Sequence, residues 1–237
     1  MDIRTKFRYP TQEEIDSIQD KVPGISNFGF KWLFPSNINN LALFTRYDHL
    51  YSWDLLLHNR IADFDTCYMY VLIHLKIHLN RGVPRTSKEV VDDEERKSNY
   101  INVNFYLGYL LFSFQAINDL ILQILNVYFE CGLIERNVCS KNIKPKLQNN
   151  YPNIVMVLDN YISATKDINE LRNALTHRFN PLEIDNRAIL ESTTKVIMPM
   201  TNDLPDYDSI LEIIESSVLK LKDYIKVLKQ NITINPS

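Results

Sequence analysis

Apolar and polar residues alternate along most of the chain with the period of an α-helix. Apolar side chains recur at steps of three and four over residues 39 to 80, 99 to 131, 152 to 178 and 206 to 228, the pattern of helices with one buried face. Polar runs at residues 46 to 49 and 58 to 60 predict two helices in the first segment, and Gly82 and Pro84 end the second of these. We therefore predict an all-α fold, a bundle of about six to eight helices.

The first helix is marked by a capping motif. Thr11 is followed three residues later by Glu14, the spacing of a capping box, and Pro23 and Gly24 stop the pattern soon afterwards. These signals predict a short helix that ends near Lys21.

The longest helical pattern runs over residues 99 to 131 and is followed by Gly132, a residue suited to a helix C-cap. It contains too many polar residues for a helix that faces lipid, so we expect a buried central helix and no membrane partner. Five of these polar residues form one stripe at steps of three or four: Gln115, Asp119, Gln123, Asn126 and Glu130. Such a stripe must meet water, a partner or a functional site.

The second half of the chain predicts more helix and one irregular segment. Residues 152 to 178 are helical in pattern with a bend near residues 163 to 165, and Pro181 stops them. Residues 182 to 205 permit a short hairpin because they are rich in β-branched residues. Asp206 or Asp208 then caps a strongly amphipathic helix.

These boundaries predict three parts of the chain. Residues 1–38 form an N-terminal helix and an irregular segment, and residues 39–181 form the helical core. Residues 182–237 form a connecting segment and a C-terminal helix that packs on the same domain.

Composition and charge limit the classes of function that the chain can have. The 237 residues include 26 basic and 29 acidic side chains, for a formal charge of -3, so any nucleic-acid binding requires a local patch. Only five glycines occur, and neither a dinucleotide fingerprint nor a P-loop is present. Three cysteines without a C-x-x-C pair, and an N-terminus without an apolar signal segment, lead us to expect a cytoplasmic protein with free thiols.

One row of metal-ligand types needs an explanation. Asp63, Cys67, His74 and His78 are spaced by four, seven and four, so all can line one helical face, and two histidines four residues apart can chelate a metal. However, Leu75 follows His74 where a metalloprotease motif carries glutamate, and no second helix with a carboxylate and histidine pair is evident. A metal-binding bundle stays open as a hypothesis, although polar histidines on a helix face are the commoner meaning.

Residues 167 to 179 carry the most informative constellation. On a helical wheel the apolar residues cluster within roughly 140° and form the face expected to be buried: Ile168, Leu171, Ala174, Leu175 and Phe179. Glu170, Asn173 and His177 fall on the opposite side, and Arg172 lies at the margin with a side chain long enough to curl towards them. A histidine in that position is either exposed or located at an interface or cleft.

Residues 172 to 177 read RNALTH. This hexapeptide resembles the R-x4-H motif of the HEPN superfamily, including the polar residue after the arginine. Its position on a late helix, after a long helix and a basic connection, supports a resemblance over about residues 40 to 180. The resemblance implies an all-α domain whose protomers commonly pair with their motifs facing across a cleft. It also implies, for active members, an endoribonuclease that needs neither a metal nor a cofactor.

The resemblance also implies a role for each motif residue. Arg172 would hold the scissile phosphate, and His177 would act as general acid or base. Asn173 would orient the phosphate or the imidazole. By our own inference, Glu170 would hydrogen-bond the imidazole of a neighbour. Attack by a ribose 2′-hydroxyl needs a proton acceptor near neutrality and a fixed cation, which histidine and arginine supply.

Four further cations and one departure from the motif also bear on the predicted RNA-binding function. Four cations are candidates for contact with an RNA backbone: Lys141, Lys144, Lys146 and Arg178. A solvated loop is the simpler meaning of the lysines, and interaction with a helix dipole is the simpler meaning of Arg172, His177 and Arg178. Phe179 stands where some HEPN toxins carry a tyrosine, which excludes control through that hydroxyl.

Besides the metal-binding bundle, two functions therefore stay open. The first is an endoribonuclease in a toxin or defence setting, with an RNA substrate, a second protomer and an antitoxin or regulatory protein as partners. The alternative is a catalytically inactive HEPN-like module for dimerisation or partner binding.

Overall fold

The computed structural model describes residues 9–24, 30, 41–80, 94–177, 189–192, 195–197 and 207–232. Within these ranges the fold is all-α with one short hairpin, which confirms the predicted class. The α-helices are α1 (Gln12–Asp16), α2 (Leu41–Asn80), α3 (Glu94–Tyr128), α4 (Ser140–Leu147), α5 (Pro152–Ala164), α6 (Lys166–His177) and α7 (Tyr207–Asn231). The strands are β1 (Ile189–Ser192) and β2 (Lys195–Ile197), and the 3-10 turns are Gln19–Lys21 and Glu135–Asn137.

The chain forms two compact units, each assembled from three segments. The first unit comprises Met1–Val22, Thr66–Leu111 and Asn169–Glu212, and the second comprises Pro23–Asp65, Phe112–Ile168 and Ile213–Ser237. The long helices α2, α3 and α7 therefore contribute residues to both units.

The capping box at the start of α1 is confirmed. The Thr11 hydroxyl accepts a hydrogen bond from the Glu14 amide at 3.3 Å, and the Glu14 carboxylate accepts one from the Thr11 amide at 2.8 Å. The helix is shorter than predicted, since it ends at Asp16 and not near Lys21. Just after it, the Ser17 hydroxyl donates a hydrogen bond to the Glu14 carbonyl at 2.8 Å. Such side-chain bonds to the backbone compete with helix continuation.

The prediction of two helices over residues 39 to 80 is wrong, because α2 runs unbroken for 40 residues. The polar residues that suggested breaks lie on its outer side. Asp48 and His58 are exposed, whereas Tyr47 and Leu57 beside them are buried. Exposed polar side chains leave the backbone hydrogen bonds of a helix intact, and α2 contains neither glycine nor proline.

Helix α3 is the buried element at the centre of the sequence. Six of its apolar residues are almost completely buried: Leu107, Leu110, Ile117, Ile121, Ile124 and Leu125. Among the described helices, one segment, Lys97–Tyr128, is long and apolar enough to cross a membrane, but 56% of its most apolar window is buried inside the protein. That burial agrees with the expected core helix, although α3 has 35 residues and is shorter than α2.

The chain turns sharply where α3 ends at Tyr128. Glu130 and Gly132 both have positive φ angles, 50° and 70°. Gly132 supplies the left-handed conformation that is typical after a helix, as the sequence predicted. Asn126 holds the turn, since its amide nitrogen donates to the Leu133 carbonyl at 2.9 Å and its amide oxygen accepts from the Leu133 amide at 3.1 Å.

The basic connection expected after this turn is largely helical. It contains the 3-10 turn Glu135–Asn137 and the eight residues of α4. Ile143 and Leu147 are buried one turn apart on α4, so the burial of an apolar pair stabilises helix despite Pro145 inside it.

The hairpin lies within residues 182 to 205, as predicted. Strands β1 and β2 are antiparallel, with Ile189 opposite Ile197 and Leu190 opposite Val196, and the register is irregular before Ser192.

Helix α7 confirms the predicted C-terminal amphipathic helix, and Asp208 lies in its first turn. Asp206, the other predicted cap, lies outside the described residues. The Tyr224 ring on α7 stacks on Tyr161 of α5, with centroids 4.1 Å apart and planes at 10°. Both hydroxyls are buried and make no hydrogen bond within the described residues. Burial raises the pKa of both phenols, and Asp119 adds to the effect on Tyr161.

We expect Tyr224→Phe to keep the fold and raise the free energy of unfolding by about 1 kcal/mol, because it removes a buried hydroxyl that gains no hydrogen bond. Urea unfolding followed by circular dichroism measures the change. Tyr207→Phe is the matched control, since the Tyr207 hydroxyl donates to Asn104 Oδ1 at 2.7 Å and its loss should lower stability. A destabilised Tyr224→Phe variant would contradict the prediction.

Alkaline pH should destabilise the protein through three buried tyrosines. Burial raises the pKa of Tyr161, Tyr207 and Tyr224 above the ordinary 10.0. The unfolded chain therefore releases phenol protons that the folded chain retains. These groups leave the free energy of unfolding unchanged below pH 10 and lower it as the pH rises further. Urea midpoints at neutral pH and above pH 10 test this, and equal losses in the wild type and the triple Tyr→Phe variant would contradict it.

Candidate functional site

The helix that carries the R-x4-H motif starts at a defined break in the chain. Helix α5 ends at Ala164, and α6 begins at Lys166, where the sequence predicted a bend. The Thr165 hydroxyl donates to the Tyr161 carbonyl at 2.8 Å, and the Lys220 ammonium donates to the Ala164 carbonyl at 2.8 Å. A lysine on the last carbonyls of α5 satisfies groups that the helix itself leaves without partners.

The polar row predicted on α6 consists of Glu170, Asn173 and His177. Glu170 and Asn173 are exposed, as the helical wheel predicted. Arg172 is half-buried, and its Nε atom lies beneath the surface. His177 is the last residue of α6, and its side chain lies outside the described residues. The backbone of one helix thus carries all four predicted catalytic residues.

The apolar face of α6 is only partly covered. Ile168 is buried as predicted, but Leu171, Ala174 and Leu175 are half-buried. Phe179 lies outside the described residues. The helix that carries the motif therefore keeps part of its apolar surface open to solvent.

A glycine marks the contact between α3 and α6. A Cβ atom on Gly108 of α3 would lie 3.7 Å from Cδ2 of Leu175, which is van der Waals contact. The space above Gly108 is thus occupied by the apolar side of α6. This contact leaves Glu170 and Asn173 on the outward side.

The predicted RNA-binding lysines belong to the second unit, on α4. Lys141 and Lys146 are exposed. The Lys144 ammonium lies 2.6 Å from the Asp159 carboxylate, which neutralises much of the lysine's positive charge. Arg178 lies outside the described residues.

The polar stripe on α3 is used mainly to hold the turn that follows the helix. Gln123 donates to the Glu135 carbonyl at 3.0 Å, and Asn126 exchanges two hydrogen bonds with Leu133. The Glu130 carboxylate accepts from Arg46 at 2.6 Å, and Arg46 also donates to the Tyr128 carbonyl. The sequence predicted that this stripe meets water, a partner or a functional site, but Gln123, Asn126 and Glu130 instead form hydrogen bonds within the protein.

Two members of the row of metal-ligand types, His74 and Asp63, have other partners in the structure. His74 is fully buried, its Nδ1 lies 3.2 Å from Asn99 Oδ1, and its ring stacks on Tyr106. Asp63 forms an ion pair with Arg60 at 3.3 Å. The side chain of His78 lies outside the described residues. Within the described residues no group of three or more His, Cys, Asp or Glu side chains could hold a metal ion.

Sequence reasoning missed a cleft in the second unit. Two neighbouring cavities of about 480 Å³ and 370 Å³ share His49, Asn126 and Val127. Arg46 lines the first and Trp53 the second, and neither cavity is lined by α6. The cleft was missed because a helix break was predicted at residues 46 to 49. On a continuous helix His49 and Trp53, which are four residues apart, lie on the same face. Their spacing is the signal in the sequence that could have indicated the cleft.

The comparison with known families now defines the class of protein. A family model described as HEPN_Cthe2314-like HEPN matches residues 53–226, from within α2 to within α7. The match covers well over half of the chain and includes the whole of α6. The chain therefore belongs to the HEPN_Cthe2314-like family of HEPN proteins. No curated protein and no solved structure matches it.

We expect Gly108→Ala to be tolerated and to raise the free energy of unfolding by about 0.5–1 kcal/mol, because alanine favours helix and its methyl group meets Leu175 at ordinary contact distance. Gly108→Phe should instead displace the apolar side of α6 and destabilise the protein by about 1–3 kcal/mol. Urea unfolding compares the two variants. Equal stability of Gly108→Phe and Gly108→Ala would show that α6 does not depend on this contact.

Proposed function

We propose that this HEPN-family chain is an endoribonuclease that cleaves RNA without a metal ion. Arg172, Asn173 and His177 of two protomers form its site. The observation that carries the proposal is the R-x4-H motif on α6, a helix within the matched family region on which Glu170 and Asn173 are exposed.

The chemistry assigned to the motif is transfer of the phosphodiester to the neighbouring ribose 2′-hydroxyl. His177 accepts the hydroxyl proton while the 2′-oxygen attacks phosphorus, and the bond from phosphorus to the 5′-oxygen breaks. An acid protonates the leaving 5′-oxygen. Arg172 stabilises the added negative charge on the phosphorane, and Asn173 orients the phosphate or the imidazole. The products are a 2′,3′-cyclic phosphate and a 5′-hydroxyl end.

Helix geometry favours a site that uses two protomers. His177 follows Arg172 by five residues, which is about 7.5 Å along the axis and roughly 140° around it. The side chains of Arg172 and His177 on one helix therefore point in different directions and do not converge on one substrate atom. A second motif across a two-fold axis would supply both an acid and a base.

Secondary roles follow from the same proposal. Glu170 would orient the imidazole of a neighbour. Lys141, Lys146 and Arg178 would contact the RNA backbone, and Lys144 contributes less because Asp159 pairs with it. The proposal also places the protein in the cytoplasm, in a toxin or defence setting, with an antitoxin or regulatory protein as its partner. The family resemblance supports these parts of the proposal.

A second candidate function is a catalytically inactive module for dimerisation or partner binding. The half-buried Leu171, Ala174 and Leu175 favour it, because an incompletely covered apolar face is a feature of association surfaces. In that case the motif residues stabilise an interface.

The two functions are separated by an RNA cleavage assay. We expect the wild type to cleave a mixture of structured and single-stranded RNA in EDTA, leaving 2′,3′-cyclic phosphate ends. Arg172→Ala and His177→Ala should each lose about 100-fold or more in rate, as expected for removal of an acid–base or charge-stabilising group. End-labelled RNA on denaturing gels gives the rates and the end chemistry.

Two exposed residues outside the motif serve as matched controls. Arg136→Ala and His58→Ala remove the same side-chain types from exposed positions and should cleave like the wild type. Circular dichroism verifies that every variant is folded. Absence of cleavage by the wild type, or equal cleavage by the motif variants, would overturn the endoribonuclease proposal and favour the inactive module.

A further inference from the structure

The cleft in the second unit is a groove between helices α2 and α3. Helix α2 contributes His49, Ser52 and Trp53 to the smaller of its two cavities, helix α3 contributes Gln123, and the turn after α3 contributes Glu135. The three α2 residues share one helix face because they are spaced by three and four. We call this space of about 370 Å³ the Trp53 cavity. Its volume is within the range of small-ligand sites.

Several polar groups around the Trp53 cavity are not used by the fold. The side chains of His49, Ser52 and Trp53 make no hydrogen bond, ion pair or ring contact within the described residues. The exposed Glu135 carboxylate has no ion-pair partner there either. Gln123 donates to the Glu135 backbone carbonyl at 3.0 Å, which fixes the turn against α3. Unused polar groups that converge on one cavity are the usual sign of a ligand site.

The larger cavity beside it shows how this part of the protein holds a cation. The Arg46 guanidinium donates to the Glu130 carboxylate at 2.6 Å and also to the Tyr128 carbonyl. Its central carbon lies 5.8 Å from the centroid of the Tyr128 ring. One carboxylate and one aromatic ring therefore bind a planar cation, as their charge and quadrupole favour.

We propose that the Trp53 cavity binds a second guanidinium, which belongs to a ligand. The Trp53 ring supplies the aromatic face and Glu135 supplies the carboxylate, the same two kinds of group that hold Arg46. Both line one cavity, so a single small ligand can reach both. The Ser52 hydroxyl offers a further acceptor for the five N–H donors of a guanidinium. Leu56, which is 49% exposed and lines the cavity, suits an aliphatic stem on the ligand.

The charges around the Trp53 cavity disfavour phosphate and other anions. Anion sites use lysine, arginine or the N-terminal end of a helix. No lysine or arginine is among the described residues that line this cavity, and Arg46 beside it is already paired with Glu130. Helix α3 reaches the cleft with its C-terminal end, where the helix dipole is negative. The inference stands on this lining and does not depend on RNA cleavage.

The first test is an NMR titration of the isotope-labelled full-length protein with butylguanidinium. The chain contains two tryptophans, Trp32 and Trp53, and the indole N–H signal that is lost in Trp53→Leu belongs to Trp53. We expect butylguanidinium to shift this signal. Butylurea, a neutral molecule of nearly the same shape, should bind about fivefold more weakly or worse because it lacks the charge. No shift of the Trp53 signal, or equal binding of the two compounds, would overturn the proposal.

The second test removes each binding group in turn. Glu135→Gln removes the charge but keeps the backbone carbonyl that Gln123 contacts, and Trp53→Leu keeps an apolar side chain without the aromatic face. Each should raise the dissociation constant of butylguanidinium about fivefold, measured from the backbone amide signals of the lining residues. Asp223→Asn is the matched control, since it neutralises an exposed carboxylate on α7 in the same unit, and it should bind like the wild type. Wild-type affinity in Glu135→Gln would contradict the proposal.

The third test identifies the source of the guanidinium, which can be a free small molecule or an arginine side chain of another protein. The probe is a tripeptide of glycine, arginine and glycine with blocked ends, titrated in the same way. Tighter binding of the tripeptide than of butylguanidinium would support an arginine of another protein, and the reverse order would support a free small molecule. Binding of neither probe would refute the guanidinium site.

Discussion

Burial of helix α3 is the interaction on which the rest of the structure depends. Full burial of a leucine or isoleucine side chain contributes about 1.5–3 kcal/mol. Helix α3 buries such residues in both units, Leu107 and Leu110 in the first and Ile117, Ile121 and Leu125 in the second. With so much of its surface in the core, α3 keeps only a narrow polar stripe. That stripe then binds the turn after the helix and, through Glu130, the Arg46 side chain.

The exposure of Glu170 and Asn173 on α6 follows from the packing of α6 against α3. Helix α3 has no side chain at Gly108, and the apolar side of α6 lies there through Leu175. Because that side faces α3, Glu170 and Asn173 face solvent. The chemistry proposed for the motif thus depends on a contact that involves none of the residues proposed to be catalytic.

The sequence by itself determined the helical class, the capping box at Thr11, the break near Thr165 and the outward position of Glu170 and Asn173. Each depends on neighbours within a few residues, so periodicity and capping rules suffice. Only the tertiary structure decided that α2 is continuous, that Lys144 pairs with Asp159 and that Asn126 bonds to the turn instead of a ligand. These outcomes depend on which side of a helix is buried and on which groups meet across the fold. A polar residue has the same local pattern whether it breaks a helix, lines a site or faces water, and only its surroundings distinguish these roles.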